Sequence, residues 1–170
     1  MSVDICCEMF RLGDSEIAIE LTADNNGLTA CRLLEGTCGA RIVSSQTHLR
    51  SALKELRDYF AGRTRDFHVP LAPDGTPFQK RVWLEAQKIP HGEVRSYAWL
   101  AQRTGNPNGA RAVANALGAN PLLLFVPCHR VIKSDGNMGG FSCGVQYKQL
   151  LLQHEAPLSI LVDSLASAKA

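Results

Sequence analysis

Residues 96–118 read SYAWLAQRTGNPNGARAVANALG, and this stretch decides how the second half of the chain folds. Ser96 suits the N-cap of a short helix over 97–104, and the GNPN turn at 105–108 separates it from a second helix over 109–118. Helix, short glycine-containing turn and helix form the helix-turn-helix pattern. The small residues of the second helix allow close approach to another surface, and tight packing within the protein explains them equally well.

The segment that follows combines a hydrophobic run with reactive side chains. Asn120-Pro121 ends the second helix, and an apolar run over 122–126 leads into PCHRVI (127–132), which we predict to be a strand carrying Cys128. A thiol with a free pKa of about 8.5 needs a base or a nearby cation to react at neutral pH. The neighbouring His129 is the candidate base, through a bent backbone or a bridging water. A buried thiol beside an unrelated histidine would leave the same pattern.

The first third of the chain predicts an antiparallel sheet with one helix. Apolar runs over 16–21 and 28–34 flank an Asn26-Gly27 turn, which is a strong hairpin signal. Residues 46–61 have helical spacing of apolar residues, and Gly62 suits the C-terminal cap. We find no group of catalytic residues in this part.

Turn-forming residues divide the chain into two parts. Residues 63–75 are rich in proline and end in an Asp-Gly turn, as expected of a linker, and Thr76-Pro77 then begins a helix. We therefore predict an α+β fold with an N-terminal domain and linker over 1–75, a C-terminal domain over 76–157 and a tail over 158–170. A glycine-rich loop over 139–144 and a last helix over 145–154, followed by Glu155, complete the second domain.

Composition limits the class of protein. The first residues, MSVDICCEMF, lack the basic start and long apolar run of a secretory signal, and no stretch approaches the roughly 18 apolar residues that cross a bilayer. We therefore expect a cytoplasmic protein without a membrane partner, in which all cysteines are reduced. None of the four N-terminal cysteines forms a C-x-x-C pair, so no metal site is predicted. The six cysteines are Cys6, Cys7, Cys31, Cys38, Cys128 and Cys143.

The net charge of +2 is unevenly distributed. Residues 1–75 carry 8 Lys and Arg against 11 Asp and Glu, whereas residues 76–155 carry 9 against 4. The half that contains Cys128 is therefore the basic one. This suits a polyanionic partner, although basic residues also cluster on surfaces that bind nothing.

The second half of the chain resembles the O6-alkylguanine-DNA alkyltransferases, also called methylated-DNA–protein-cysteine methyltransferases. The resemblance implies a small N-terminal antiparallel-sheet α/β domain of the ribonuclease H-like kind and a mostly helical, winged-helix-like C-terminal domain that contains the helix-turn-helix. The N-terminal third matches the family only loosely. In order and spacing, the matching segments are TPFQKRVW (76–83), GEVRSYAWLA (92–101), GNPNGARAVANALGANP (105–121), PCHRVI (127–132), the Gly-Phe-Ser loop and the last helix to Glu155.

The resemblance implies a catalytic role for five residues. Cys128 would accept the alkyl group of O6-alkylguanine or O4-alkylthymine, and His129, held by Glu155, would act as base through a water. Tyr97 would protonate N3 of the leaving guanine, and Asn120 would fix the turn before Cys128. Because the resulting thioether has no carbonyl that water could attack, each molecule would be consumed by one lesion.

The resemblance also implies how DNA is held. A base inside a duplex is out of reach, so it must be flipped into a pocket. Arg111 would fill the gap in the stack, Ser142 would bind O6, and the carbonyls of Cys128 and Val131 would recognise the exocyclic amine. The partner would be double-stranded DNA containing O6-alkylguanine, bound by a monomer without cofactor or metal. The residues implied in DNA and base binding are Arg111, Ala112, Asn115, Val131 and Ser142.

The chain departs from the family pattern at several positions. Cys143 stands where glycine is common, and its side chain would narrow the pocket against bulky groups such as benzyl. Phe141 replaces a common tyrosine. Ala114-Asn115 replaces a common Gly-Gly pair on the helix that would contact DNA.

Two other functions fit parts of this pattern. A helix-turn-helix damage sensor or regulator would bind alkylated DNA without transfer, but it would need no thiol at Cys128. A cysteine hydrolase would use Cys128, His129 and Glu155, but no oxyanion hole can be identified in the sequence. We therefore expect direct dealkylation of DNA.

Overall fold

We describe the fold from a computed structural model that defines residues 4–34, 36–38, 46–157 and 160. Within these residues the chain has a mixed α/β fold with a three-stranded antiparallel sheet, a two-stranded parallel sheet and five α-helices. The chain divides into two compact units, Met1–Asp74 with Pro121–Phe125, and Gly75–Asn120 with Val126–Ala170. Every catalytic and DNA-binding candidate lies in the second unit.

The first unit is built on a sheet in the order β1-β2-β3. Strand β1 is Asp4–Leu12, β2 is Ser15–Ala23 and β3 is Leu28–Leu34, with antiparallel neighbours throughout. The hairpin expected around Asn26-Gly27 joins β2 to β3. Helix α1 (Thr47–Phe60) contacts the sheet through a face that includes the buried Leu49 and Leu56.

Residues 121–125 also belong to the first unit. The N–H of Cys31 in β3 donates to the carbonyl of Pro121 over 2.8 Å, and the N–H of Leu123 donates to the carbonyl of Cys31 over 3.1 Å. This backbone pairing adds the segment to the unit beside β3. The chain therefore passes through the first unit between two parts of the second.

The prediction that all six cysteines are reduced is wrong for two of them. Cys7 and Cys38 form a disulfide, and the other four are free thiols. An argument from cellular compartment cannot detect which cysteines the fold brings together. The described part of the chain contains no group of three or more His, Cys, Asp or Glu that could hold a metal ion. Its helices are all too short or too polar to cross a membrane.

Three helices form the frame of the second unit. Helix α2 is Pro77–Ala86, α3 is Tyr97–Arg103 and α4 is Ala110–Gly118. Thr76 caps α2 and Ser96 caps α3, as expected from the sequence. The buried indole N–H of Trp83 in α2 donates to the carbonyl of Ala116 in α4 over 2.8 Å. This bond holds α4 against α2.

Cys128 lies on a turn, and the prediction of a strand at this residue is wrong. Residues Cys128–Arg130 form one turn of 3-10 helix, because the N–H groups of Arg130 and Val131 donate to the carbonyls of Pro127 and Cys128, three residues earlier. Strand β5 (Val131–Ile132) follows and pairs in parallel with β4 (Arg95–Ser96). Helix α5 (Val145–Glu155) completes the unit.

Candidate active site

A pocket of about 260 Å³ opens beside Cys128. Its walls come from α3, α4 and the loop before α5. A second cavity of about 290 Å³ shares the walls at Tyr97, Ala114 and Gly140 and extends towards Lys133. The first pocket is lined by Tyr97, Ala114, Leu117, Gly118, Cys128, Gly140, Phe141 and Ser142.

The Cys128 thiol is held by an asparagine. The side-chain amide of Asn120 donates to Cys128 Sγ over 3.3 Å and to the carbonyl of Val126 over 3.1 Å. Burial raises the pKa of Cys128 to about 11, and the Asn120 hydrogen bond and the charge of Lys148 act in the opposite direction. The thiol is therefore protonated at neutral pH and needs a base before it can react.

His129 is buried and tied to a carboxylate. Its Nε2 lies 2.8 Å from Glu155 Oε1, and both side chains are at most 1% exposed. Burial lowers the pKa of His129, which favours the neutral ring. Burial opposes ionisation of Glu155, but His129 and Arg130 hold its pKa well below its usual range. Because a carboxylate can only accept, Nε2 carries the proton and Nδ1 is a free acceptor.

The free nitrogen of His129 is the one buried polar side-chain atom without a hydrogen-bond partner among the described residues. No direct hydrogen bond joins it to Cys128 in that part of the chain. A proton acceptor thus lies one residue from a thiol that must lose a proton.

Arg130 is a member of the site that was not among the predicted site residues. Its guanidinium donates to both oxygens of Glu155 over 2.8–3.2 Å and to the carbonyl of Ile89 over 2.7 Å. The N–H of Gly92 also donates to Glu155, over 3.1 Å. Arg130 and Gly92 together fix the position of Glu155, which fixes His129 in turn.

Tyr97 forms the pocket wall on the α3 side. A Cβ atom on Gly139 would lie 2.9 Å from its hydroxyl oxygen, so the absence of a side chain at Gly139 permits this position. Gly139 has φ +68°, a conformation that favours glycine. Burial raises the pKa of Tyr97, and a thiolate at Cys128 raises it further. The phenol is therefore a proton donor at neutral pH.

Lys148 is a second residue that the sequence did not indicate. It lies on the inward face of α5 with no exposed surface, although its neighbours along the helix are polar. Its Nζ contacts backbone carbonyls of β5 and of the loop before α5. A lysine in a helix is normally read as a surface residue, so no sequence signal distinguishes it.

The remaining predicted pocket residues have different surroundings. Ser142 is exposed at the pocket wall, with its Oγ 3.7 Å from the Sγ of Cys143. Val131 is fully buried, and its carbonyl already accepts a hydrogen bond from Lys148 over 2.6 Å. A carbonyl has two lone pairs, so one remains for a ligand.

Helix α4 presents two accessible faces besides its buried one. Ala114 faces the pocket, whereas Arg111, Ala112 and Asn115 are exposed. Val113, Ala116 and Leu117 are buried and hold the helix in place. The exposed face is thus close along the helix to the pocket wall, and its side chains are small apart from Arg111.

Fold and site together define a mixed α/β protein in which a cysteine lies in a pocket beside α3 and α4, two helices joined by a short turn. Residues 77–157 match the family profile described as "6-O-methylguanine DNA methyltransferase, DNA binding domain". A methylated-DNA--protein-cysteine methyltransferase from Methanosarcina acetivorans is 40% identical over 141 residues, which cover 81% of this chain and 90% of the relative. One from Mycobacterium tuberculosis is 40% identical over 154 residues, covering 86% and 91%.

Solved structures give the same result. The crystal structure of Mycobacterium tuberculosis OGT in complex with DNA has a TM-score of 0.72 and 36% identity, and the match covers 91% of this chain and 98% of that one. The O6-methylguanine-DNA methyltransferase of Pyrococcus kodakaraensis, at 21% identity and a TM-score of 0.60, shares the fold. The chain belongs to the methylated-DNA–protein-cysteine methyltransferase family.

Proposed function

We propose that this protein repairs DNA directly, by transferring the alkyl group of O6-alkylguanine, or of O4-alkylthymine, to Cys128. The observation that carries the proposal is the thiol of Cys128 in the wall of a pocket that also contains the Tyr97 phenol. The names of the relatives support the same reaction. One molecule is consumed for each lesion, because the thioether formed on Cys128 is not hydrolysed.

The first step is loss of the thiol proton. The neutral His129 offers Nδ1 as acceptor, and a water between Nδ1 and Cys128 Sγ would carry the proton across. The imidazolium that forms is stabilised by the carboxylate of Glu155, which accepts a hydrogen bond from Nε2. The described residues contain no direct thiol–imidazole hydrogen bond, so the proton passes through this water.

The second step moves the alkyl group. The sulfur of Cys128 attacks the alkyl carbon, a C–S bond forms, and the bond from that carbon to O6 breaks with its electron pair passing to the guanine. Tyr97 donates its proton to N3, so that guanine leaves as a neutral base. The hydroxyl of Ser142 donates a hydrogen bond to O6. The carbonyl oxygens of Cys128 and Val131 accept hydrogen bonds from the exocyclic amine.

DNA is bound through the exposed face of α4. The short side chains of Ala112 and Asn115 allow this face to enter the minor groove, which is about 6 Å wide. The basic residues of the second unit contact phosphates. Arg111 fills the space of the flipped base.

Arg111→Ala should slow transfer from duplex DNA but not from single-stranded DNA, with Arg11→Ala in the first unit as control. Equal slowing on both substrates would remove this role.

The finer description of the protein is also part of the proposal. It has a ribonuclease H-like domain with linker over 1–75, and a winged-helix-like domain over 76–157, of which residues 121–125 belong to the first compact unit. The tail over 158–170 lies outside the described residues except for residue 160. It acts as a cytoplasmic monomer on alkylated double-stranded DNA. Cell fractionation and size-exclusion chromatography test the location and the monomeric state.

One experiment tests the function. The protein is incubated with duplex DNA that carries a labelled O6-methylguanine, and label is located by peptide mass spectrometry. We expect stoichiometric label on Cys128, and none on Cys128→Ser, which should still bind DNA. Label that stays on DNA would favour a damage sensor, and repeated turnover would favour a hydrolase.

A further inference from the structure

Lys148 is a buried lysine whose charge the reaction proposed above does not use. Its Nζ donates to three carbonyl oxygens, those of Val131 over 2.6 Å, Met138 over 2.5 Å and Gly140 over 3.3 Å. An ammonium group has three N–H donors, so all of them are bonded. In the described ranges of the chain, no carboxylate lies within ion-pair distance of Lys148.

A charge in this position opposes folding. Burial lowers the pKa of Lys148 to about 8, which still leaves most of the side chain charged at neutral pH. An apolar side chain of similar length, such as methionine, would fill the space without this cost. The three hydrogen bonds offset only part of the free-energy cost of burying the ammonium group. The retained charge therefore calls for a functional explanation.

Lys148 lies close to one group that becomes negative during the proposed reaction, and its charge acts on a second. Its Nζ lies 5.7 Å from the centre of the Tyr97 ring, and its charge favours the thiolate of Cys128. Cys128 loses a proton before attack, and Tyr97 loses one to the leaving guanine. The other ionisable groups of the described residues in these surroundings are Cys143, whose charge opposes the Cys128 thiolate, and Lys133, which lines the cavity beside Tyr97. His129 and Arg130 are also close, and both are paired with Glu155.

The three bonded carbonyls also join parts of the pocket that are separate in sequence. Val131 lies in β5, whereas Met138 and Gly140 lie in the loop that leads to Ser142. One ammonium group therefore sets the distance between this loop and β5. Loss of the lysine would leave three carbonyls without their donor.

We propose that Lys148 is a positioning residue for alkyl transfer, which holds the pocket loop against β5 and stabilises the negative charge that develops on Cys128 and Tyr97. This inference rests on the proposed function. A fixed charge that faces developing charge in a buried site contributes about 100-fold to a rate. Lys148 acts through Cys128 and Tyr97.

The test compares Lys148→Met with Lys54→Met, a substitution of an exposed lysine on α1. The rate constant for transfer from labelled duplex DNA is measured in a single turnover between pH 6.5 and 9. We expect Lys148→Met to be about 100-fold slower at pH 7, and Lys54→Met to match the unaltered protein. The ratio of the unaltered rate to the Lys148→Met rate should shrink above about pH 8, because the unaltered lysine then loses its charge.

Two results overturn the inference. One is an equal rate for Lys148→Met and the unaltered protein, and the other is a ratio that stays constant with pH, as expected of a lysine that only supports the loop. Should Lys148→Met not fold, Lys148→Gln keeps two donors without charge and carries the same prediction. The ¹³Cε chemical shift of Lys148 in the unaltered protein reports its charge directly, and a neutral amine at pH 7 also overturns the inference.

Failure of the proposed function gives a different result. If the unaltered protein places no label on Cys128, the function is wrong and the role of Lys148 falls with it. If both proteins label Cys128 equally fast, the function stands and only the role of Lys148 is wrong.

Discussion

His129 Nε2 and Glu155 Oε1 lie 2.8 Å apart, with both side chains almost completely removed from solvent. The same carboxylate also forms an ion pair with the guanidinium of Arg130. The one negative charge of Glu155 therefore interacts with two neighbouring side chains of the 3-10 turn, His129 and Arg130. Buried charges of this kind are strongly coupled, and removal of one partner leaves the others uncompensated.

Glu155→Gln should therefore destabilise the protein. The buried Arg130 loses its counter-charge, and breaking such a pair costs about 3 kcal/mol in the free energy of unfolding. Urea unfolding measures the loss, with Glu16→Gln, an exposed position near the start of β2, as control. A loss of the same small size in both variants would mean that the pair contributes little.

Stability should fall on acidification below pH 7. The pKa of His129 is lowered from its ordinary 6.5 in the folded protein, so unfolding takes up a proton below about that pH. The pKa of Glu155 is lowered too, and its contribution, present above its ordinary value of 4.5, is lost as pH falls from there. Unfolding at a series of pH values tests this, and His129→Asn should flatten the curve between pH 7 and 5.

Asn120→Ala should make Cys128 less reactive towards iodoacetamide. The substitution removes the N–H donor to Sγ, and a hydrogen bond of about 1 kcal/mol corresponds to a reaction about fivefold slower. Peptide mass spectrometry at pH 8 follows Cys128, and the partly exposed Cys143 in the same protein is an internal control. Faster labelling of Cys128 would show instead that Asn120 shields the thiol.

Gly139→Ala should impair the pocket, whereas Gly105→Ala should not. Both glycines have positive φ, +68° and +78°, so both variants carry a similar backbone cost of about 1–2 kcal/mol. Only at Gly139 would the new Cβ meet a neighbour, the Tyr97 hydroxyl at 2.9 Å. Gly139→Ala should slow alkyl transfer about 100-fold, measured beside thermal unfolding. Equal transfer rates in the two variants would contradict this.

Reduction of the Cys7–Cys38 disulfide should destabilise the first unit. The bond closes a loop between residues 31 positions apart, for which the chain-entropy estimate is about 3–4 kcal/mol. Unfolding with and without dithiothreitol measures the loss. Cys38→Ser should show the reduced stability under both conditions, and a response of this variant to dithiothreitol would point to another thiol.

Local signals in the sequence were sufficient for the helices. The caps at Thr76 and Ser96 and the glycine-containing turn before α4 act on their own neighbours, so the boundaries could be predicted. Strand β1 was missed because Ile5 and Met9 on its exposed face disturb the alternation of polar and apolar residues. Cys128 was assigned to a strand because an apolar run says nothing of the hydrogen bonds that close a 3-10 turn.

The resemblance to a known family pointed to Tyr97, Cys128 and Ser142, which the structure places around one pocket, and their roles stay predictions. Arg130 and Lys148 were missed because their burial depends on partners that the fold brings together from distant positions, Glu155 for one and the carbonyls of Val131 and Met138 for the other. A charged residue in a sequence gives no sign of such partners. The positions that only the structure reveals are therefore the buried charges.

The pairing of residues 121–125 with Cys31 limits how this protein can be cut for study. A fragment that starts at Gly75 would keep Leu122, Leu123 and Phe125, all buried in the intact chain, but would lack the strand that binds them. In such a fragment, an apolar segment directly before the reactive thiol would be exposed to solvent. We expect it to aggregate, so a minimal functional version has to retain β3 or replace these apolar residues.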